Sequence, residues 1–573
     1  MNTKSPLFSE IGERSELTAK ILVDQLIKQG VCFFSVAPGS RSTPLALAIA
    51  EHSEAYSVVH FDERGAAFQA LGYAKATGKP AAVLVTSGTA VANLFPAVME
   101  ASLAQIPLIL LTGDRPPELR GNGSNQTADS VKIFGEYVRW QVDLPCCDPQ
   151  ISNDYLGMCI SQAVFQSLHA PKGAVQINCM FREPLFSADP IDLPSLLSTK
   201  YEQSIPTPSL TTLEEWAKLL ASRERGVIII GANATTGPLS PLFLLAQKLG
   251  WPIFADILSG ARAEHPNLIA YYELILKTVK DLKIDTVLHF GDRFVSKTLL
   301  EWLSTCAPSL YFLVAPHPVC HDPKHQVTHR LECDASLFSE HLLPHLESSN
   351  SGWCEEWKNH AERVESDVKK IFAETSALTE PGLIEHLVTG LPTDWALFLA
   401  NSMPVRDADT FFFPKTEAPR LIFANRGVSG IDGNIATIAG IAHGLKKPVL
   451  ALLGDQTFLH DLNSLALLKK CPHPVVLLVI NNGGGGIFSF LPVASKTQVM
   501  DEYFAAAHTF TFAKAAELFQ IPYQQIDNEK QLFRALAEKK SMLLEMHTDR
   551  TENFHFHQQI TQKLCLSSLQ EVR

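Results

Sequence analysis

Four apolar runs, Ala81–Thr86, Leu108–Thr112, Pro448–Leu453 and Val475–Ile480, go five or six residues without polar alternation and stop at loops bearing Gly, Asp or Asn. A strand with no polar side must be covered on both faces. When such strands alternate with helices, the arrangement that satisfies them is a parallel sheet between two helical layers. The rest of the first third fits this pattern. Ser15–Gln29 sets Leu17, Ile21, Leu22, Leu26 and Ile27 on one helical face and ends at Gly30, before a strand at Val31–Val36. Further strands are predicted at Ser57–His60 and Ala174–Asn178, and helices at Arg64–Thr77 and Ala90–Ala104.

A chain of 573 residues that is 46% hydrophobic has room for about three or four such units. Ser187–Thr212, rich in Pro, Ser and Thr without a helical period, reads as a linker. A second block follows, with strands at Gly226–Ile230, Pro252–Asp256, Thr286–Phe290 and Leu310–Val314. Glu347–Gly352 reads as a second linker, and the last block opens on a charged helix before strands at Trp395–Leu399, Pro448–Leu453, Val475–Ile480 and Met542–Glu545. The expected architecture is therefore α/β: three doubly wound parallel-sheet domains over 1–186, 213–346 and 353–573. No run approaches the ~18 residues of a bilayer span, and the first thirty residues lack an apolar signal core, so a cytoplasmic protein without a membrane span is expected. Eleven cysteines without a CxxC pair support neither a disulfide framework nor zinc. A formal net charge of −12 argues against nucleic acid as a partner.

The most specific local signal is Gly454-Asp455 at the end of one apolar strand and Asn482, 27 residues beyond the Asp, at the end of the next, with a helix expected at Phe458–Lys470 between them. Adjacent parallel strand ends meet at the crevice where α/β sheets bind ligands. A carboxylate, an amide oxygen and a loop carbonyl are hard ligands suited to Mg²⁺ that keeps part of its shell for a diphosphate. The run Gly483–Gly486 lets a backbone approach that diphosphate closely. Asp and Asn also close strands as ordinary turn residues, so the spacing carries the signal. It resembles the thiamine-diphosphate signature, with Gln456 where the wider superfamily has a second Gly. That cofactor needs a carboxylic acid against its aminopyrimidine ring from a different domain. Glu63, just past the strand Ser57–His60, has this placement, although a first-turn helix acid favoured by the macrodipole would look the same.

The segments Ala37–Pro44 (APGSRSTP), Asp62–Ala67 (DERGAA), Thr86–Asn93 (TSGTAVAN), Gly113–Pro116 (GDRP), Asn425–Gly433 (NRGVSGIDG) and Asn481–Phe488 (NNGGGGIF) occur in an order and spacing that closely resemble the 2-succinyl-5-enolpyruvyl-6-hydroxy-3-cyclohexene-1-carboxylate synthases of menaquinone biosynthesis. The match is dense in the first and last thirds. The resemblance implies a transferase using thiamine diphosphate and Mg²⁺ or Mn²⁺ to join 2-oxoglutarate, with loss of CO₂, to isochorismate by conjugate addition. It implies that Asp455, Asn482 and the Gly484 carbonyl bind the metal, and that Glu63 activates the cofactor. Pro38, Thr89, Ser429, Ile431, Gly454, Gln456, Ile487 and Phe488 would surround the cofactor, Ile431 propping its bent shape. Ser402, Arg406 and Arg426 would grip the distal carboxylate of the oxoglutarate part, and Ser40, Arg41, Arg115, Asn125, Gln126 and Lys297 the isochorismate. Ile487, Phe488 and Leu491 would form an apolar wall. Thr298 stands where some members carry a second basic residue. The resemblance also implies a homodimer or homotetramer with the cofactor between the first domain of one subunit and the last of another. Arg64 and Arg293 have no such role and read as structural.

Three other readings compete, of which a protein that binds thiamine diphosphate without catalysis is opposed by the retention of both the activating acid and the metal ligands. An acetolactate-synthase-like carboligase or another 2-oxoacid decarboxylase would keep Glu63, Asp455 and Asn482 but has less need of the loop arginines. A nucleotide-binding oxidoreductase would require a GxGxxG turn, and Gly226–Asn233 (GVIIIGAN) lacks it.

Overall fold

A computed structural model describes residues 6–570 apart from 188, 280, 281, 350, 351 and 376, so part of the second expected linker lies outside the described residues. The first sheet contains β1 (Phe33–Val36), β2 (Tyr56–Val59), β3 (Ala81–Val85), β4 (Leu108–Asp114), β5 (Val138–Leu144) and β6 (Ala174–Met180), ordered β2-β1-β3-β4-β6-β5. The second contains β7 (Gly226–Ile230), β8 (Ile253–Ala255), β9 (Thr286–Phe290), β10 (Leu310–Ala315) and β11 (His329–Glu332), ordered β11-β10-β9-β7-β8. The third contains β12 (Ala396–Leu399), β13 (Ile422–Phe423), β14 (Val449–Gly454), β15 (Val475–Asn481), β16 (Tyr523–Gln525) and β17 (Met542–His547), ordered β13-β12-β14-β15-β17-β16. Every pairing between these strands is parallel. The first and third sheets share one strand order, and in each the winding changes direction between the neighbours β1 and β3, or β12 and β14. Those two switch points define crevices at the strand ends.

The four apolar runs are the interior strands β3, β4, β14 and β15, buried almost throughout. The strands not expected from sequence, β5, β11, β13 and β16, are half-buried edges, where one side meets solvent and no apolar run is required. Two predicted helices differ. Ala90–Ala104 is broken into Thr89–Ala92 and Phe95–Ala104, the second beginning with Pro96 in its first turn. Phe458–Lys470 is split into an α-turn, Asp455–His460, and a 3₁₀ segment, Leu462–Lys470. The break falls at Asp461, whose buried carboxylate accepts from Ala436 N–H at 3.0 Å and from Ser464 Oγ at 2.8 Å. The helix Leu210–Ala221 starts inside the first expected linker, capped by Ser209. The charged helix Trp353–Ala373 packs on the middle sheet as well as on the last block: Trp353 donates to Gly226 O at 2.8 Å, and Trp357 packs edge-on to Phe254 and Trp302. No helix among the described residues is long and apolar enough to cross a membrane.

The first and third units are joined by the helices Glu63–Thr77 and Asn434–Leu445. A Cβ on Gly72 would collide with the Thr437 carbonyl, and one on Gly440 with the Gln69 carbonyl, so each helix seats its glycine on the other's backbone. Ala436 and Ala439 complete one face of the first sheet's core. Buried Glu100 adds a clamp, accepting from Gly427 N–H at 2.9 Å and Val428 N–H at 2.8 Å. Of the arginines read as structural, Arg64 ties the first unit to the third by donating to His460 O at 2.8 Å, and Arg293 ties the middle unit to the third by donating to Gly427 O at 2.8 Å.

The middle unit grips the third through Arg262. Its guanidinium donates to the carbonyls of Ala408, Asp409 and Phe412 and to the Asp409 carboxylate, closing the C-terminal end of the helix Met403–Phe411, and lies 4.1 Å from the centroid of Phe413. A cation placed there complements the orphan carbonyls and the dipole together.

Alanine is about 1 kcal/mol better than glycine in a helix interior. Gly440→Ala is nevertheless expected to destabilise the protein by about 1–3 kcal/mol, because the added methyl overpacks a backbone contact. Urea denaturation of the purified variant measures it.

Candidate functional site

Asp455 begins a helix immediately after β14, so its carboxylate is held at a strand end. Oδ1 accepts from Gln456 N–H at 2.6 Å and Oδ2 from Gly484 N–H at 2.8 Å, with His508 Nε2 at 3.4 Å. Burial raises the Asp455 pKa, against these bonds, which lower it. One strand over, Asn482 turns its amide nitrogen to Glu380 Oε1 at 3.1 Å, while its Oδ1 is buried without a partner. Gly484 has φ +143°, a conformation that side-chain-bearing residues rarely adopt, and a Cβ there would lie 2.5 Å from Ala505 O. Its carbonyl accepts from Gly486 N–H at 2.9 Å. Gln456 spans to Ala505 O at 2.5 Å, so the residue that departs from the superfamily pattern ties the loop at Ala505 to the β14 end.

These groups line a cavity of about 320 Å³ with Glu380, Ser402, Arg406, Arg426, Ser429, Ile431, Ile487 and Phe488. Ser402 sits at φ +74° before the helix Met403–Phe411, and its carbonyl accepts from Arg406 Nη1 at 2.6 Å. Arg426 Nη1 donates to Asn401 Oδ1 at 2.7 Å, while Asn401 Nδ2 clasps the carbonyls of Asn425 and Gly430, both at 2.7 Å. Burial pushes both guanidinium pKa values down from their ordinary value. Among the described residues neither arginine makes a direct ion pair; the Asp407 and Glu273 carboxylates act on Arg406, and those of Asp256 and Glu100 on Arg426, only from a greater distance. A neighbouring cavity of about 520 Å³ shares Met403, Arg406 and Ile487 and is further lined by Lys297, Leu491 and the C-terminal helix at Phe554 and His557. Lys297 itself is exposed, 3.3 Å from Glu301. Thr298 reaches Glu273 at 3.4 Å.

A second constellation forms at the switch point of the first sheet. Arg41 is buried, donating to Phe181 O at 2.8 Å and to Glu183 at 2.9 Å. Arg115 donates to Ser87 Oγ, and its pKa is lowered first by burial and then by nearby Arg41. Ser87 Oγ donates to Gln126 O at 3.0 Å, and Gln126 Nε2 returns to Ser87 O at 3.2 Å, which brings the 125–126 turn beside Arg115. Pro38, Ser40, Thr89, Asn125 and Gln126 are exposed on the same loops. Glu63 opens its helix, but Asp62 caps it, accepting from Arg64 and Gly65 N–H. Glu63 is left half-buried, with Asn93 Nδ2 at 3.2 Å. The cavity at Asp455 and Asn482 includes none of these first-sheet residues.

Sequence reasoning missed Glu380, Asn401, His508 and the pair His557–Asp407, 3.2 Å apart. Glu380 is 2% exposed, and burial followed by the Asp407 charge pushes its pKa up to about 7. In the sequence it reads as a first-turn acid after Thr379, with nothing to mark it as buried.

Residues 17–133 match the family model described as thiamine pyrophosphate enzyme, N-terminal TPP binding domain; 198–399 match the middle domain of thiamine pyrophosphate enzymes; 408–546 match the C-terminal TPP binding domain. Proteins named 2-succinyl-5-enolpyruvyl-6-hydroxy-3-cyclohexene-1-carboxylate synthase are similar over nearly the whole chain. The one from Rubrobacter xylanophilus is 42% identical, covering 95% of this chain and 98% of the relative, and that from Salinibacter ruber is 42% identical, covering 95% of each. The Chlorobaculum parvum protein of that name is 38% identical over 96% of this chain and 97% of its own. Among solved structures, benzoylformate decarboxylase from Polynucleobacter necessarius superposes with a TM-score of 0.74 at 16% identity, covering 93% of this chain and 98% of that one, which establishes the shared fold.

Asn401→Ala removes the acceptor of Arg426 and two donors to buried carbonyls. It is expected to cost about 1–3 kcal/mol, the penalty of leaving a buried polar group unpaired, read by urea denaturation.

Proposed function

The chain belongs to the 2-succinyl-5-enolpyruvyl-6-hydroxy-3-cyclohexene-1-carboxylate synthase family of thiamine-diphosphate enzymes, and on that premise we propose that it condenses 2-oxoglutarate with isochorismate, releasing CO₂, in menaquinone biosynthesis. The observation that carries the reading is the pair of half-buried guanidiniums, Arg406 and Arg426, neither in a direct ion pair, in the cavity that also holds Asp455 and Asn482. A partly desolvated cation without a directly paired carboxylate is costly, and an anionic ligand offsets that cost. A 2-oxoacid with a second, distal carboxylate supplies that charge; one with an apolar tail does not.

The cofactor and metal fit the residues present. The orphaned Oδ1 of Asn482 and the Asp455 carboxylate are oxygen donors at adjacent strand ends, and the space where a Cβ of Gly454 would stand is open. We assign Asp455, Asn482 and the Gly484 carbonyl to Mg²⁺ or Mn²⁺. Bound thiamine diphosphate supplies the carbon nucleophile and the electron sink for decarboxylation. Glu63 would hold a proton against N1′ of the aminopyrimidine. Ser402, Arg406 and Arg426 hold the distal carboxylate of 2-oxoglutarate, with a fork geometry that suits it. Ile487, Phe488 and Leu491 keep water from the carboxylate that departs as CO₂. Arg41 and Arg115, with Ser40, Asn125, Gln126 and Lys297, hold isochorismate.

Because the first-sheet crevice and the Asp455 cavity are separate within one chain, this assignment requires a second copy. A homodimer is the smallest assembly that brings Glu63 to the cofactor, and a tetramer satisfies it equally. The apolar surface beside Glu63 supports such a contact, since Val59 is 45% and Phe61 61% exposed.

Purified protein with thiamine diphosphate and Mg²⁺ is expected to consume isochorismate only when 2-oxoglutarate is present. Turnover supported by pyruvate but not by 2-oxoglutarate would refute the substrate assignment and favour an acetolactate-synthase-like reaction. Glu63→Gln is expected to bind the cofactor and lose most activity, by roughly 10²–10⁴-fold, the usual contribution of a positioned acid or base. Unchanged turnover removes Glu63 from this role.

A further inference from the structure

The amide of Asn482 has two nearly isosteric ends. Only one of them, the oxygen, can ligate a cation, and the NH₂ end would turn two donors toward it. Something must therefore select the orientation. Glu380, the first residue of the helix Glu380–Gly390, comes from a part of the chain that supplies no ligand, yet its buried Oε1 accepts from both Asn482 Nδ2 at 3.1 Å and Thr548 Oγ1 at 2.9 Å. Receiving two donors makes Oε1 an acceptor in either ionisation state of the carboxyl. Thr548 is fixed in turn by its own N–H, which donates to Asn481 O at 3.1 Å. Gly486 leaves space for the amide nitrogen, because a Cβ there would lie 2.7 Å from it. With the nitrogen held on one side by Glu380, the oxygen is directed to the other, where it is buried and unpartnered.

We propose that Glu380 is a positioning residue for the metal site, fixing the Asn482 amide so that its oxygen, not its nitrogen, would face the cation. The inference rests on the assignment of Asn482 as a metal ligand. In this role Glu380 acts through Asn482, as the outer-shell partners of metal ligands generally do, by fixing the orientation of a donor before the metal arrives.

The test is an electron paramagnetic resonance titration of Mn²⁺ into protein saturated with thiamine diphosphate, which reads bound metal without reference to turnover. Glu380→Leu is expected to weaken Mn²⁺ binding about 10- to 100-fold, and Glu380→Gln, which retains the acceptor oxygen, to change it by no more than about threefold. Wild-type affinity in Glu380→Leu overturns the proposal. So does an equal loss in Glu380→Gln, which would mean that the charge matters and the orientation does not.

A second pair of variants covers the case in which Leu at 380 prevents folding. Asn482→Asp sets two carboxylates in contact and is expected to bind Mn²⁺ more weakly than wild type, despite its better ligand. Adding Glu380→Gln, whose amide can donate to Asp, is expected to restore binding. Tighter binding by Asn482→Asp with Glu380 in place overturns the proposal. Asn482→Ala separates the two claims. If it binds Mn²⁺ as wild type does, the ligand assignment itself is wrong; if it loses binding while Glu380→Leu does not, only the role of Glu380 is wrong.

Discussion

The backbone contact between the helices Glu63–Thr77 and Asn434–Leu445 sets the frame on which the other site features depend. Gly72 and Gly440 let each helix rest on the other's carbonyls, closer than any side chain would allow. One helix begins at Glu63, and the other follows the loop that carries Arg426, Ser429 and Ile431. Fixing this pair therefore fixes where the first and third crevices lie within one chain. Glu100 repeats the constraint a short distance away by holding the amides of Gly427 and Val428.

Against that frame, the repeated strand order of the first and third sheets acquires a functional sense. The switch points at β1/β3 and β12/β14 each gather one half of the proposed chemistry: cations and Glu63 at the first, oxygen donors and two arginines without direct ion pairs at the third. The middle sheet has a different order and supplies Arg262, which closes the end of the helix that carries Arg406. Its contribution includes holding the helix that carries Arg406. The acidic total of the chain says little about such a site, because a few arginines at strand ends set the local potential.

Much of this was legible in the sequence because it rests on local pattern. β3, β4, β14 and β15 had to be apolar, and Asp455 and Asn482 stand at the ends of two of them. The edge strands were not legible as apolar runs. In β5, Val138, Trp140, Val142 and Leu144 alternate with polar residues, a signal of period two that a search for continuous apolar runs passes over. The breaks at Pro96 and Asp461 follow from a proline rule and from a buried carboxylate; the first could have been read and the second could not. Glu380 and Asn401 were invisible for a related reason. Each acts through a partner distant in sequence, Asn482 and Arg426 respectively, and each looks locally like a first-turn acid or a loop amide. The separation of Glu63 from the Asp455 cavity is likewise a tertiary fact. It changes the resemblance-based expectation of a shared site into a geometric requirement of the proposed mechanism.

That requirement can be tested by subunit complementation. Glu63→Gln and Asp455→Ala, each inactive alone, are to be co-expressed with different tags, and the doubly tagged species isolated and assayed. If each site takes Glu63 from one chain and Asp455 from another, random mixing of dimers leaves one intact site in half of them and recovers about a quarter of wild-type activity in the unfractionated pool, with the doubly tagged fraction enriched to about half. If the mixed species is as inactive as its parents, both residues must act within the same chain, and the two-copy site is contradicted.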